Sequence, residues 1–568
     1  MADIEKFDLV VVGAGIHGLV IAKTYCDVHP EASILVLDKS RSIGGVWAKD
    51  RLYPGLHTNN HFRTFEFSDL PMDTEGFDLV DGHIPGEHVN KYLHSYVETF
   101  NLAKQIRLET SVKSAVDQGP MGWMLTVSQY TNSTEINYQI EASRLVVATG
   151  LTSEPSMPKL DGKETFDAPI YHSSEFAKAE GGLRSYKKIA LLSGAKFSWD
   201  IAYAYASAGI QVDWIIRESG HGPCWMMPNR LTPLKIIPEL IIQTRLITWL
   251  SPSIWDDGFI QIRNFFNQHW FGRKISDALF TKMQHATEEI NGYDSHPETA
   301  KLKPWDDVFF IGTNRGLLNY KNDFFELVRN GMVRVHIADI SHLSPQAIHL
   351  STGTVIESDV LICGTGWKDT PQLDFQTTKD LGLPGHASQT PQDHTRAADA
   401  QIFATFPKLQ NQPAPRNASA DKSDKETQQE PYRLYRYIVP PSFIPSRTLA
   451  FAGAYRSPAT TIISQTQALW ITAYFDNRIP SLQNTTASKR IMYETVLHTQ
   501  FSRWRYSRGF GARFPEMFFD CLPYVDRLLK DVGVRNERKG SWWRERFTAY
   551  MPEDYRGIVG EYVALGGR

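Results

Sequence analysis

The chain has 568 residues, enough to bury several domain-sized cores without disulfide or metal support. Lysine plus arginine number 60 and aspartate plus glutamate 63, a net charge of −3, which excludes the basic excess expected of a nucleic-acid binder. The four cysteines (Cys26, Cys224, Cys363 and Cys521) are far apart in sequence, which excludes a CxxC redox pair or zinc knuckle, and isolated thiols suit a reducing cytosol. The N-terminus carries neither a basic n-region nor an apolar h-region, so no signal peptide and a cytoplasmic protein are expected. The most apolar zone, 231–255, is interrupted by Lys235, Glu239 and Arg245 and lacks the ~18 uninterrupted apolar residues of a spanning helix.

Along the chain, residues 7–13 (FDLVVVG) form a continuous apolar run, the pattern of a strand buried on both faces in a parallel sheet. A glycine turn, a helix and a second buried strand at 33–39 (SILVLDK) complete a strand–helix–strand unit. Residues 145–150 (LVVATG) are a further strand ending in a turn. A second strand–turn–helix–strand unit covers 189–192 to 212–217, and strand–turn patterns return at 359–366 and 449–454, the last before a helix through Gln467 and Trp470. Residues 228–300 read as a mostly helical insert. In it Leu231, Leu234, Ile236, Ile237, Leu240 and Ile241 have the spacing of one helix with a buried face. Residues 408–431 hold one large aliphatic residue and no aromatic, which predicts a flexible surface loop. After 481 aromatic residues return, as in a packed helical appendage.

Gly13-Ala-Gly15-Ile-His-Gly18 fits GxGxxG between a strand and a helix. The first glycine permits the tight turn, the second lets the backbone approach a pyrophosphate, and the third allows close helix–strand packing. Asp38 lies 20 residues beyond Gly18 at the end of the second strand, placed to accept ribose hydroxyls. The competing reading is a glycine turn that only tightens packing. Gly44-Gly45-Val-Trp47, Thr58-Asn59-Asn60 and Ala148-Thr149-Gly150 follow in order.

With these segments the sequence resembles the flavin-containing monooxygenases, the class B flavin-dependent enzymes related to Baeyer–Villiger monooxygenases, over about residues 7–225 and 320–478. The resemblance implies an α/β fold with two dinucleotide-binding, Rossmann-like domains, to which the helical insert and the helical C-terminal appendage are added. The expected divisions are a first part of an FAD domain at 1–165, an NADPH domain at 166–335 with the insert at 228–300, a second part of the FAD domain at 336–480 with the loop 408–431, and the appendage at 481–568. It implies FAD held by Gly13, Gly15, Gly18 and Asp38, with Gly45, Trp47, Thr58, Thr149, Gly150 and Gln467 around the flavin. Asn59, or Asn60 should the register slip by one, is implied at the reactive edge of the flavin. The reaction implied is hydride transfer from NADPH and delivery of one atom of O2 to a small organic substrate, of the aromatic or polyketide-like kind, through a flavin hydroperoxide.

The second nucleotide motif departs from the family. Ser193-Gly-Ala195-Lys-Phe-Ser198 has serine, alanine and serine at the three glycine positions, each adding a Cβ. Ser193 and Ser198 are nonetheless assigned to NADPH, and Arg217, ending the next strand, is placed for its 2′-phosphate. Phe166 to Phe176 resembles the family fingerprint, with Ala168 in place of its glycine and Ala177-Lys178 where Baeyer–Villiger relatives carry tryptophan; His172 reads as a hydrogen-bonded hinge residue. Those relatives also carry an acid where this chain has Asn59, which favours heteroatom or ring oxygenation over ketone insertion. Two other classes stay open: an NADPH-independent flavin oxidase or dehydrogenase, and a non-enzymatic carrier of apolar cargo. No metal site is expected. Substrate and O2 are the expected partners, and 228–255 is read as a substrate lid or a peripheral membrane contact. Trp225, Met226 and Met227 read equally as pocket lining or core.

Overall fold

The opening apolar run forms the strand Glu5–Val12 and the second forms Ile34–Leu37, joined by the helix Ile16–Val28. In this computed structural model, residues 4–53, 55–77, 79–131, 134–176, 186–231, 235–385, 392–414, 431–483 and 488–566 are described. The two strands pair in parallel, Val11 opposite Val36, and Ile106–Arg107 extends the sheet beyond Ile34–Leu37. On the other side lies the long strand Thr134–Val147, parallel to the opening strand with Val11 opposite Val146. Its far edge is shared. Residues 134–142 pair antiparallel with Trp123–Thr131, and 145–147 pair in parallel with Leu449–Phe451. Thr110–Asp117 and Asp374–Gln376 complete this eight-stranded sheet. The helix Thr460–Phe475 packs beside Ile16–Val28 and is buried along almost its whole length, so its hydroxyls bond back to its own carbonyls, as Thr466 and Thr472 do to Ile462 and Ala468.

A second, five-stranded sheet is parallel throughout. Its order is Val333–Ile337, Gln211–Ile216, Lys188–Leu192, Leu361–Cys363, Ile170–His172. The expected strand–turn–helix–strand unit sits at its centre, with the helix Lys196–Ser207. The fold is thus mixed α/β with two such sheets.

Two local expectations are corrected. The continuous helix expected from 231 to 241 is not formed: Leu231 and Ile236 pair as an isolated antiparallel bridge, and a helix covers only Pro238–Ile242. Pro238 lacks an N–H and holds Ile237 extended, so a helix can start there but not pass through. Leu234 lies outside the described residues. The loop expected at 408–431 begins as a helical turn, Pro407–Gln410, because its single large aliphatic residue, Leu409, is buried beside Phe406 and Phe501; residues 415–430 lie outside the described residues. Trp225–Met227 is a strand buried along its length. Within 228–255 few apolar side chains reach the surface, Ile236 and Leu246 among them, whereas Phe265, Trp270, Phe271, Trp542 and Trp543 are exposed beyond it.

The insert is held to the tail by a buried arginine. Arg245 Nε donates to Glu545 Oε1 (2.7 Å), its Nη2 donates to the Tyr550 hydroxyl (3.0 Å), and its Nη1 pairs with Asp526. Tail residues Leu522, Val525 and Leu528 share one core with Leu19 and Ile463. Among the described residues no helix is long and apolar enough to cross a membrane.

Candidate active site

Gly13 adopts φ +115°, and a Cβ there would meet the Ala148 carbonyl oxygen at 2.5 Å. A Cβ on Gly18 would run into the Gly13 carbonyl oxygen. Protein packing alone therefore demands these two glycines. Gly15 differs: a Cβ there would stand 3.6 Å from Gly45 Cα, an ordinary contact, and its backbone is extended. The space that Gly15 keeps open is not needed by the protein itself, which fits a ligand passing over the turn. Gly15 is also the N-cap of Ile16–Val28, and no side chain caps that end, so its N–H groups are available to a phosphate.

Asp38, nearly buried, accepts from the Ala14 N–H (2.7 Å) and the Ser40 N–H (2.8 Å). One donor per oxygen leaves lone pairs for ribose hydroxyls. The Gly44–Gly45 turn lies over Gly15, its Gly44 N–H donating to the Ala14 carbonyl (2.9 Å). Trp47 packs edge-on against Phe65, and its carbonyl accepts from Asn90 Nδ2 (2.8 Å). Thr149 and Gly150 follow Ala148 beyond the carboxyl end of Thr134–Val147. This half of the site fits FAD.

Thr58, Asn59 and Asn60 lie on the strand His57–His61, which pairs with His83–Pro85. The buried Thr58 hydroxyl donates to the Asn60 carbonyl (2.6 Å) and accepts from the Ile84 N–H (2.9 Å); the Thr58 carbonyl accepts from Asn319 Nδ2 (3.1 Å). Asn60 Nδ2 donates to the Pro458 carbonyl (2.6 Å) and to Glu239 Oε1 (2.5 Å). Asn59, between two anchored neighbours, presents an exposed side chain. The two asparagines thus differ: the Asn60 amide is taken up by two hydrogen bonds, and the Asn59 side chain is exposed.

Gln467 is completely buried, its Oε1 accepting from the Gly453 N–H (3.2 Å) and its Nε2 donating to the Tyr524 hydroxyl (2.8 Å). Its amide braces the Gly453 loop from behind. Beside that loop His17 Nε2 lies 2.9 Å from the Tyr455 hydroxyl, and burial lowers the His17 pKa to about 4. His172 bonds the Gly366 carbonyl (2.8 Å) and stands edge-on to Trp367, linking the second sheet to the 365–367 segment. Ala177 and Lys178 lie outside the described residues.

In the second turn, Ser193 adopts φ +145°, a conformation favouring glycine, and its Oγ accepts from the Ala195 N–H (3.1 Å). The Ser198 hydroxyl is buried beside Gly364 with no hydrogen-bond partner, an orphaned polar group at the base of the turn. A Cβ on Gly194 would strike the Gly222 carbonyl, so the one glycine retained is the one that the following loop requires. Arg217 is exposed at the end of Gln211–Ile216. Just beyond it opens a cleft of about 740 Å3 lined by Gly220, His221, Lys301, Lys303, Trp305 and Arg508. Asp306 lines it as well and pairs with Arg508, while Lys301 pairs with Glu298 and Lys303 with Glu288 and Asp294; a cleft outside the carboxyl ends of parallel strands is where such folds take a nucleotide.

The residue that sequence reading passed over is Glu239, noted only as an interruption of an apolar zone. A lone carboxylate among aliphatic residues is itself a signal, since burial demands partners for it. Among the described residues, no group of three or more His, Cys, Asp or Glu is arranged to hold a metal ion.

A family model described as flavin-binding monooxygenase-like matches residues 6–292. The FAD-dependent monooxygenase resA of Aspergillus sclerotiorum is 33% identical over 98% of this chain and 98% of its own length. The FAD-dependent monooxygenase rstn6 of Aspergillus nomiae is 33% identical over 99% of each chain. Among solved structures, the closed form of cyclohexanone monooxygenase superposes with a TM-score of 0.59 at 17% identity, covering 100% of this chain and 99% of that one, a likeness of fold.

Proposed function

This chain belongs to the flavin-binding monooxygenase-like family, and from that premise we propose that it is an FAD enzyme that draws hydride from NADPH and places one atom of O2 on a small organic substrate of the aromatic or polyketide-like kind. It is a flavin-dependent monooxygenase. The observation that carries the cofactor reading is Gly15: packing would tolerate a Cβ there, yet the turn keeps the backbone bare beneath an uncapped helix end.

When bound, the flavin supplies the oxygen-activating chemistry. The chain's own residues then have separable tasks. The N–H groups following Gly15 hold the pyrophosphate, Asp38 accepts the ribose hydroxyls, and the Gly45–Trp47 turn covers them. Asn59 offers an amide donor toward the reacting edge. Arg217, exposed beside the adjoining cleft, would receive the 2′-phosphate of NADPH, with Ser193 and Ser198 at the turn beside it. An amide rather than an acid at position 59 supports oxygenation of a heteroatom or ring over ketone insertion.

The test is Asn59→Ala. The variant is expected to purify yellow with full FAD, and to convert NADPH and O2 into hydrogen peroxide faster than the wild type. Peroxide yield and NADPH consumption unchanged from wild type would remove Asn59 from the reaction. For the second nucleotide, Arg217→Ala is expected to raise the KM for NADPH by about tenfold or more, the worth of one charge-assisted phosphate contact, while KM for NADH moves little. Equal changes for both would place the phosphate elsewhere.

A further inference from the structure

Glu239 comes from the insert, yet each of its strong bonds goes to the segment that carries Asn59. Its Oε1 accepts from Asn60 Nδ2 (2.5 Å) and lies 2.6 Å from the Thr64 hydroxyl, and its Oε2 accepts from the His61 N–H (2.8 Å). Gln243 Nε2, one helical turn on, approaches the same carboxylate at 3.5 Å. The side chain is 8% exposed. Burial pushes its pKa up to about 7, against the pull of the bonds from Thr64, His61 and Asn60. A buried carboxylate is costly unless its lone pairs are filled, and here one backbone and two side-chain donors of the Asn59 segment fill them.

We propose that Glu239 is a positioning residue for the oxygenation step: its carboxylate grips Asn60, His61 and Thr64, and thereby fixes the strand that aims Asn59. The proposal rests on the role given to Asn59 above. Asn60 is the middle of the clamp, with Glu239 on one side and the Pro458 carbonyl on the other. Glu239 is itself held from behind, because its short helix Pro238–Ile242 runs into Arg245, which the tail carboxylates Asp526 and Glu545 lock in place. The insert therefore reaches into the first domain and holds a strand in it. Once ionised, Glu239 presents acceptors only, whereas a glutamine of the same shape would turn an NH2 toward donors.

The experiment uses the FAD-loaded full chain under air, with NADPH as the only added reagent. It reads NADPH consumed and hydrogen peroxide formed per bound FAD, together with the rate of anaerobic bleaching by NADPH. Glu239→Gln is expected to raise peroxide-forming consumption by about ten- to a hundredfold, the scale set by ångström misplacement of a reacting group, while anaerobic bleaching stays at the wild-type rate. Glu239→Asp, which keeps the charge on a shorter stem, is expected to fall between the two. A merely structural role would lower FAD content and melting temperature and leave the rates per bound FAD unchanged; that result overturns the proposal. Should Glu239→Gln fail to fold, Glu239→Asp carries the test, and a wild-type rate in it is the overturning result. Asn59→Ala is run beside them. If it raises consumption and the Glu239 variants do not, only this proposal falls; if it changes nothing, the reading of Asn59 falls and the proposal with it.

Discussion

At the scale of single residues, burial decides protonation. His17, His61 and His83 each have a pKa lowered to about 4 by loss of water, from an ordinary value of 6.5. A group depressed in the folded state contributes stability that is complete above its unfolded pKa and is lost as pH falls toward the folded value. The gap in melting temperature between wild type and His17→Gln should therefore narrow from pH 6.5 to about 4, as read by thermal melts across that range; a constant gap would show that His17 protonates equally in both states. Glu239 has the opposite sign. Its raised pKa contributes stability that is present below the usual carboxyl value of 4.5 and is lost as pH rises to about 7. Asn59 was legible in the sequence because Thr58, Asn59 and Asn60 are neighbours in a recognisable segment. Glu239 was not, because its partners are 175 to 179 residues away and nothing local records them.

At the scale of elements, the first glycine turn separates packing from binding. Gly18→Ala forces a Cβ into the Gly13 carbonyl, backbone against backbone, and is expected to cost about 3 kcal/mol and yield FAD-free, poorly folded protein. Gly15→Ala leaves an extended backbone undisturbed, so the cofactor-free chain is expected to match or exceed the wild type by up to about 1 kcal/mol. Its FAD affinity should nevertheless drop. Denaturant melts of both apoproteins, with flavin titration by fluorescence, separate the two cases; equal FAD affinity in Gly15→Ala and wild type would contradict the cradle. The strand–helix–strand units could be read from sequence because their strands are continuous apolar runs buried on both faces. The antiparallel strands between 110 and 142 could not, since their alternation is mixed with exposed positions and their partners are set by register. The 231–241 helix failed on proline, which the spacing of apolar residues does not weigh.

At the scale of the whole molecule, we propose the division at 165, 335 and 480 as a description of chain order only, since Leu361–Cys363, beyond 335, pairs within the second sheet; the insert and appendage are joined through Arg245. That guanidinium is fully buried against Asp526, Glu545 and Tyr550. Arg245→Ala leaves two carboxylates without their cation and is expected to cost about 3–5 kcal/mol, whereas adding Asp526→Asn and Glu545→Gln to it should recover part of that loss. Urea melts of the single and triple variants measure this, and a triple variant no more stable than Arg245→Ala would show that the pairing charge is not the source of the cost. The motifs legible in the sequence left the insert and the tail outside the resemblance, although the family model runs through residue 292. Their packing onto each other is a long-range fact that no local pattern carries.

The shared edge of Thr134–Val147 has a consequence for biosynthesis. Its outer neighbour, Leu449–Phe451, is encoded some three hundred residues later, so the nascent chain leaves the ribosome with that edge open. At about 5–20 residues per second the gap lasts on the order of half a minute. During that interval a row of amide and carbonyl groups is exposed to any passing strand. Abundant chaperone during synthesis should therefore raise the yield of native enzyme, and a translation pause placed before residue 449 should lower it.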